Sequence, residues 1–136
     1  MMKKMLVFGL GLLAGSAATA ENLADVDEMI CSVAQVQICL ESGECYRADP
    51  ADLSISDFVV IDTDAKTVST TKSSELDRST EFGRVEKEDG LIFLQGIEDG
   101  RAFSFVIDEA TGRMTIAVSR DGFSVSVFGA CANTDF

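Results

Sequence analysis

The chain has 136 residues, with 23 acidic against 11 basic side chains, no histidine and a formal net charge of −12. A surface this acidic repels phosphate backbones and anionic lipid heads, which argues against nucleic-acid binding and against peripheral docking on a membrane. Without histidine the usual general base near neutral pH is missing, and with it every catalytic triad built on imidazole.

Residues 1–20 read as a secretory signal peptide. Lys3 and Lys4 give a positive start, Met5 to Leu13 is apolar apart from Gly9 and Gly11, and Ala18-x-Ala20 offers the small side chains that a signal peptidase accepts. Cleavage is expected after Ala20, with Ala18 as the alternative. Met5 to Ala20 is shorter than the roughly 20 residues of a spanning helix. The first cysteine, Cys31, lies too far along for a lipoprotein. What remains, residues 21–136, is one domain with a net charge of −14 once the two leader lysines are gone. Its expected home is the periplasm or the exterior.

Residues 25–33 are ambiguous, since Val26, Met29, Ile30 and Val33 fit a short helical stripe. Ala34 to Leu40 alternates and reads as an early strand. Cys31, Cys39, Cys45 and Cys131 form an even set in an exported chain, which predicts two disulfides. Metal binding is a weak rival, because there is no C-x-x-C and no histidine. Of three connectivities, spacing favours Cys39–Cys45 around a tight loop and Cys31–Cys131 between the two ends. Asp49 and Pro50 open one predicted helical turn.

Phe58–Asp62 and Thr67–Thr71 flank a hairpin turn at Asp64-Ala65-Lys66. Asp62-x-Asp64 begins like a calcium loop but lacks its glycine and its final glutamate. Residues 72–79 read as a polar loop. From there Asp89-Gly90, Asp99-Gly100, Thr111-Gly112 and Asp121-Gly122 recur at hairpin spacing. Glu81–Glu88 pairs with Leu91–Ile97 across the first of them. Leu91–Ile97 is apolar on both faces and reads as a central strand covered on two sides. Phe103, Phe105 and Ile107, then Met114, Ile116 and Val118, then Phe123, Val125 and Val127 each alternate with small or polar residues, the period of half-buried strands. Arg101, Arg113 and Arg120 sit beside turns and read as solvent-facing. Core packing accounts for most of the phenylalanines.

The expected fold is therefore all-β: a single-domain antiparallel up-and-down meander of seven or eight strands, as a small barrel or a sandwich. Closure would set the last strand beside the first. No catalytic, cofactor-binding or metal-ligating residue stands out, so an enzyme is not expected. The partners this leaves are a basic protein or a small apolar ligand.

The stretch Leu94-Gln95-Gly96, Gly100-Arg101-Ala102-Phe103-Ser104, Val106 to Met114 and Phe128-Gly129-Ala130-Cys131 resembles uncharacterised small exported proteobacterial proteins. That resemblance implies a periplasmic home and no particular activity. In class alone the chain is similar to the periplasmic inhibitors of c-type lysozyme, which are small, exported, disulfide-bonded and β-barrelled. This implies a binding or inhibitor module, with a structural envelope protein or an unrecognised hydrolase as the alternatives.

Overall fold

The computed structural model describes residues 22–72, 74 and 77–134, so the signal-peptide reading at residues 1–20 lies outside the described part. The strands are β1 (Glu28–Leu40), β2 (Cys45–Ala48), β3 (Phe58–Asp62), β4 (Thr67–Thr70), β5 (Ser79–Glu81), β6 (Arg84–Glu88), β7 (Leu91–Glu98), β8 (Arg101–Asp108), β9 (Arg113–Arg120) and β10 (Phe123–Asn133). All pairings are antiparallel, and the single domain is one sheet curled into a half-barrel. Two short strands, β2 and β5, take the count beyond the seven or eight expected. β5 begins at the end of the segment read as a polar loop.

The order across the sheet is β5-β4-β3-β1-β10-β9-β8-β7-β6, with β2 laid on β1. The first and last strands thus meet in its middle, where Met29 to Leu40 runs opposite Asn133 to Phe123. The two ends of the order, β5 and β6, are consecutive in the chain and separated only by Phe82 and Gly83. The curl therefore brings the two edges of the sheet toward each other at this link, without strand pairing between them. Gly96 marks that seam: a Cβ there would stand 2.5 Å from the Phe103 ring and 3.1 Å from the Glu81 carbonyl oxygen.

β1 spans 13 residues and replaces the helical reading of residues 25–33. Its register against β10 shifts between Val33 and Gln35. Before the shift Met29, Cys31 and Val33 face the interior; after it Val36, Ile38 and Leu40 do. A β-bulge thus moves the inward phase from odd to even residues. The helical stripe Val26, Met29, Ile30, Val33 ends at the bulge: Val26 lies ahead of β1, and Ile30 alternates with the inward Met29 and Cys31. Opposite the bulge, Gly129 packs so tightly on the Ser32 carbonyl that a side chain there would collide.

Both disulfides join residues directly opposite each other on paired strands. Cys31–Cys131 links β1 to β10 across 100 residues of chain, and Cys39–Cys45 links β1 to β2. This is the connectivity favoured by spacing, and it fits an oxidising compartment. The predicted helical turn is a 3₁₀ turn at Pro50–Leu53, capped by the Asp49 carboxylate, which accepts from the Ala51 N–H. The Asp89-Gly90 and Asp99-Gly100 turns have positive φ at both residues, as tight hairpins require.

One expectation fails on β7. Its inner residues Ile92 and Leu94 are buried, but among the described residues no second layer covers the outer ones, and Ile97 is 84% exposed. Ile97 lies past Arg84, where β6 ceases to pair with β7. An apolar run reads alike whether both faces are covered or one is left open. Phe58 and Phe128 are likewise exposed, at 51% and 43%, so core packing does not account for them.

A candidate ligand pocket at the open end

The interior of the half-barrel differs from end to end. At one end lie the β3–β4, β6–β7 and β8–β9 turns. There the residues ahead of β1 cross the opening, and Leu23 drops into the core with no exposed surface. The Leu23 N–H donates to the Glu109 carbonyl at 2.7 Å, and Lys87 Nζ donates to the Ala24 carbonyl at 3.1 Å. Met29, Ile61, Ile92, Ile107 and Met114 fill the space beneath.

The other end is open. It is framed by the β7–β8 and β9–β10 turns, by the segment after the 3₁₀ turn and by the start of β5. It encloses a cavity of about 250 Å³. The walls are apolar: Phe103 and Phe105 on β8, Ile116 and Val118 on β9, Val125 and Val127 on β10. Across from them stand Val59, Val68 and Leu53. Phe82, Phe103 and Phe105 meet one another edge-on, with ring centroids 5.1 to 6.0 Å apart. This geometry fixes the ring faces that line the cavity.

The rim is polar and carries Arg78, Arg101, Arg120 and Glu98. Alternation places them. β7 faces inward at Ile92, Leu94 and Gly96, so Glu98 is in phase. β8 faces inward at Phe103, Phe105 and Ile107, so Arg101 is in phase. β9 faces inward at Met114, Ile116 and Val118, so Arg120 is in phase while Arg113 is not. Of the three arginines read as solvent-facing, Arg101 is only partly exposed, while Arg120 is exposed and lines the mouth beside it. Arg113 is exposed. Arg78, in the segment read as a polar loop, carried no periodic signal at all.

Glu98 Oε2 accepts from the Thr80 hydroxyl at 2.6 Å, which bridges the seam between β5 and β7, and lies 3.5 Å from Arg101 Nη2. Arg120 donates to the Asp99 carbonyl at 2.9 Å, with its guanidinium 6.0 Å from the Phe123 ring centroid. Arg78 donates to the Ser54 carbonyl at 3.3 Å. A guanidinium has five N–H donors, so each of these contacts leaves capacity for a guest.

The remaining sequence candidates lie elsewhere. The four cysteines form the two disulfides. Asp62 turns its carboxylate onto its own loop, accepting from the Asp64 and Ala65 N–H groups at 3.0 and 2.8 Å. Among the described residues no group of three or more potential metal ligands converges, and no helix is long and apolar enough to cross a membrane.

No family model, curated protein or solved structure matches this chain.

Proposed function

We propose that this protein is a non-catalytic binding module of the periplasm or the exterior, and that it holds one small, largely apolar ligand in the open end of its half-barrel. The observation that carries this reading is the contrast within one interior: side chains fill one end, while the other keeps a cavity of about 250 Å³ with apolar walls and a polar rim. Binding sites have this composition, with predominantly hydrophobic linings and a few placed polar groups. The volume lies just below the roughly 300 Å³ at which drug-sized pockets begin, so the guest is small. The two disulfides suit an oxidising compartment. A non-catalytic role is supported by the lack of histidine and by Glu98, the carboxylate at the rim, being engaged by Thr80 and Arg101.

The test is fluorescence titration with the neutral apolar dye N-phenyl-1-naphthylamine. Wild type is expected to bind one equivalent with a blue-shifted emission. Val118→Phe, which places a ring in the cavity, is expected to abolish that signal while the circular dichroism spectrum stays β-rich. A folded wild-type protein that leaves the dye's emission unchanged would overturn the reading.

A further inference from the structure

We infer that the ligand is a single-chain amphiphile with a carboxylate head, its tail in the cavity and its head against Arg78, Arg101 and Arg120. The inference rests on the pocket reading above and adds the chemistry of the head and the length of the tail.

Charge distribution supports the head. The chain carries a net charge of −12 and has only six arginines. Three of the six stand at the mouth of one cavity, against one carboxylate, Glu98. In an acidic molecule this rim is cationic. Opposite its apolar walls it suits a guest that is negative at one end and hydrocarbon at the other. Arginine is the side chain whose planar fork matches a carboxylate with two parallel hydrogen bonds. The Arg101–Glu98 contact, at 3.5 Å, is a loose ion pair that a ligand carboxylate can displace. Glu98 keeps its hydrogen bond from Thr80 when that happens.

The cavity sets the tail. A volume of about 250 Å³ lies below the roughly 300 Å³ at which drug-sized pockets begin, which suits one hydrocarbon chain of medium length. The guest is then a single-chain carboxylate rather than a membrane lipid with two long chains. The acidic exterior acts in the same direction. It opposes docking on an anionic bilayer, while a single dissolved amphiphile meets the cationic rim alone.

The experiment is displacement of bound N-phenyl-1-naphthylamine at pH 7 by decanoate, decanol, decyltrimethylammonium and butyrate. Decanoate is expected to displace the dye at least tenfold more effectively than decanol. Decyltrimethylammonium is expected to be weaker than decanol, and butyrate weakest. In the double variant Arg101→Gln with Arg120→Gln, the ratio of decanoate to decanol displacement is expected to fall to about one, while the circular dichroism spectrum stays β-rich. If the dye binds but decanoate and decanol compete equally, or the double variant keeps the decanoate preference, the carboxylate-head inference is wrong and the pocket reading stands. If the dye does not bind wild type at all, both fall together.

Discussion

The two ends of this half-barrel are built from the same strands, yet one is closed and the other open. At the closed end β1, β3, β7, β8 and β9 contribute Met29, Ile61, Ile92, Ile107 and Met114, all buried, and Leu23 plugs the opening. At the open end the same strands, read a few residues further along, contribute valines and phenylalanines around a cavity and then Glu98, Arg101 and Arg120 at its rim. Along β7, β8 and β9 alternation is unbroken from one end to the other. What changes there is the residue at each inward position, apolar until the one nearest the open end and charged at that one. Stability and binding should therefore separate along the axis of the half-barrel, and substitutions at the two ends test that separation.

The largest effect is expected from the disulfides. Replacing Cys31 and Cys131 by alanine releases a loop of 100 residues between the two central strands, which costs about 4–5 kcal/mol in the chain-entropy account. Replacing Cys39 and Cys45, which lie six residues apart, costs about 2 kcal/mol by the same relation. Urea unfolding of the two double variants is expected to show that order. Equal losses would mean that loop length is not what sets the contribution of these bridges.

Next in size is Leu23→Ala. Leu23 is fully buried and sits on a segment tied down by its own backbone hydrogen bond to Glu109, by the Lys87 contact and by two hydrogen bonds from Thr63 to the Asp27 carbonyl. Truncation removes apolar area and leaves a void beneath the crossing segment, at about 2–5 kcal/mol for a buried leucine. Binding of the neutral dye at the far end should be unchanged wherever the variant is folded. A variant of wild-type stability would show that the plug is not part of the core. A folded variant that loses the dye would show that the two ends are coupled.

How much of this was legible in the sequence follows the same division. From Arg101 to Ala130 alternation is so regular that three hairpin-linked strands could be read directly, and the turns at Asp89-Gly90 and Asp99-Gly100 bounded a fourth at Leu91–Ile97. The pairing of first and last strands followed from closure and from the cysteines. The bulge at Val33–Gln35 could not be read, because Ala34 to Leu40 alternates in a single phase while Val26, Met29, Ile30 and Val33 ahead of it fit a helical spacing. β5 was missed because Ser79, Thr80 and Glu81 have no apolar alternation and owe their strand conformation to pairing with β4. At the pocket the fault lay elsewhere. The inward phase of β8 and β9 was already known from Phe103, Phe105, Ile107, Met114, Ile116 and Val118. Carried one position further toward each neighbouring turn, it places Arg101 and Arg120 inside the mouth. A charged residue beside a turn is ordinarily solvent-facing, and Arg120 stays exposed even as it lines the mouth. Arg78 offered no such handle, since only the tertiary fold brings it to the rim.

The smallest expected effect concerns the turn that supports the plug. Asp108 ends β8, and its carboxylate accepts from the N–H groups of Ala110 and Thr111, both at 2.9 Å. The Thr111 N–H does most to hold the Asp108 carboxyl below its ordinary range. Partial desolvation works against it, and the Ala110 N–H, the Thr111 hydroxyl and the charge of Arg113 add to the lowering. A carboxyl whose folded pKa is depressed stabilises the fold at every pH above its unfolded value, about 3.9. That contribution is lost as pH falls through the lower, folded value. Asp108→Asn keeps a hydrogen-bond acceptor in the turn and removes the charge. The variant is expected to melt slightly below wild type from pH 5 to 7, with the gap narrowing as pH drops below 4, since wild type then loses the same charge. The next residue in the turn, Glu109, accepts the hydrogen bond from Leu23, so a loosened turn should also speed amide exchange at Leu23 at pH 7. A melting gap that stays constant down to pH 2.5 would assign the effect to altered turn geometry, and the carboxylate charge would then have no part in holding the closed end.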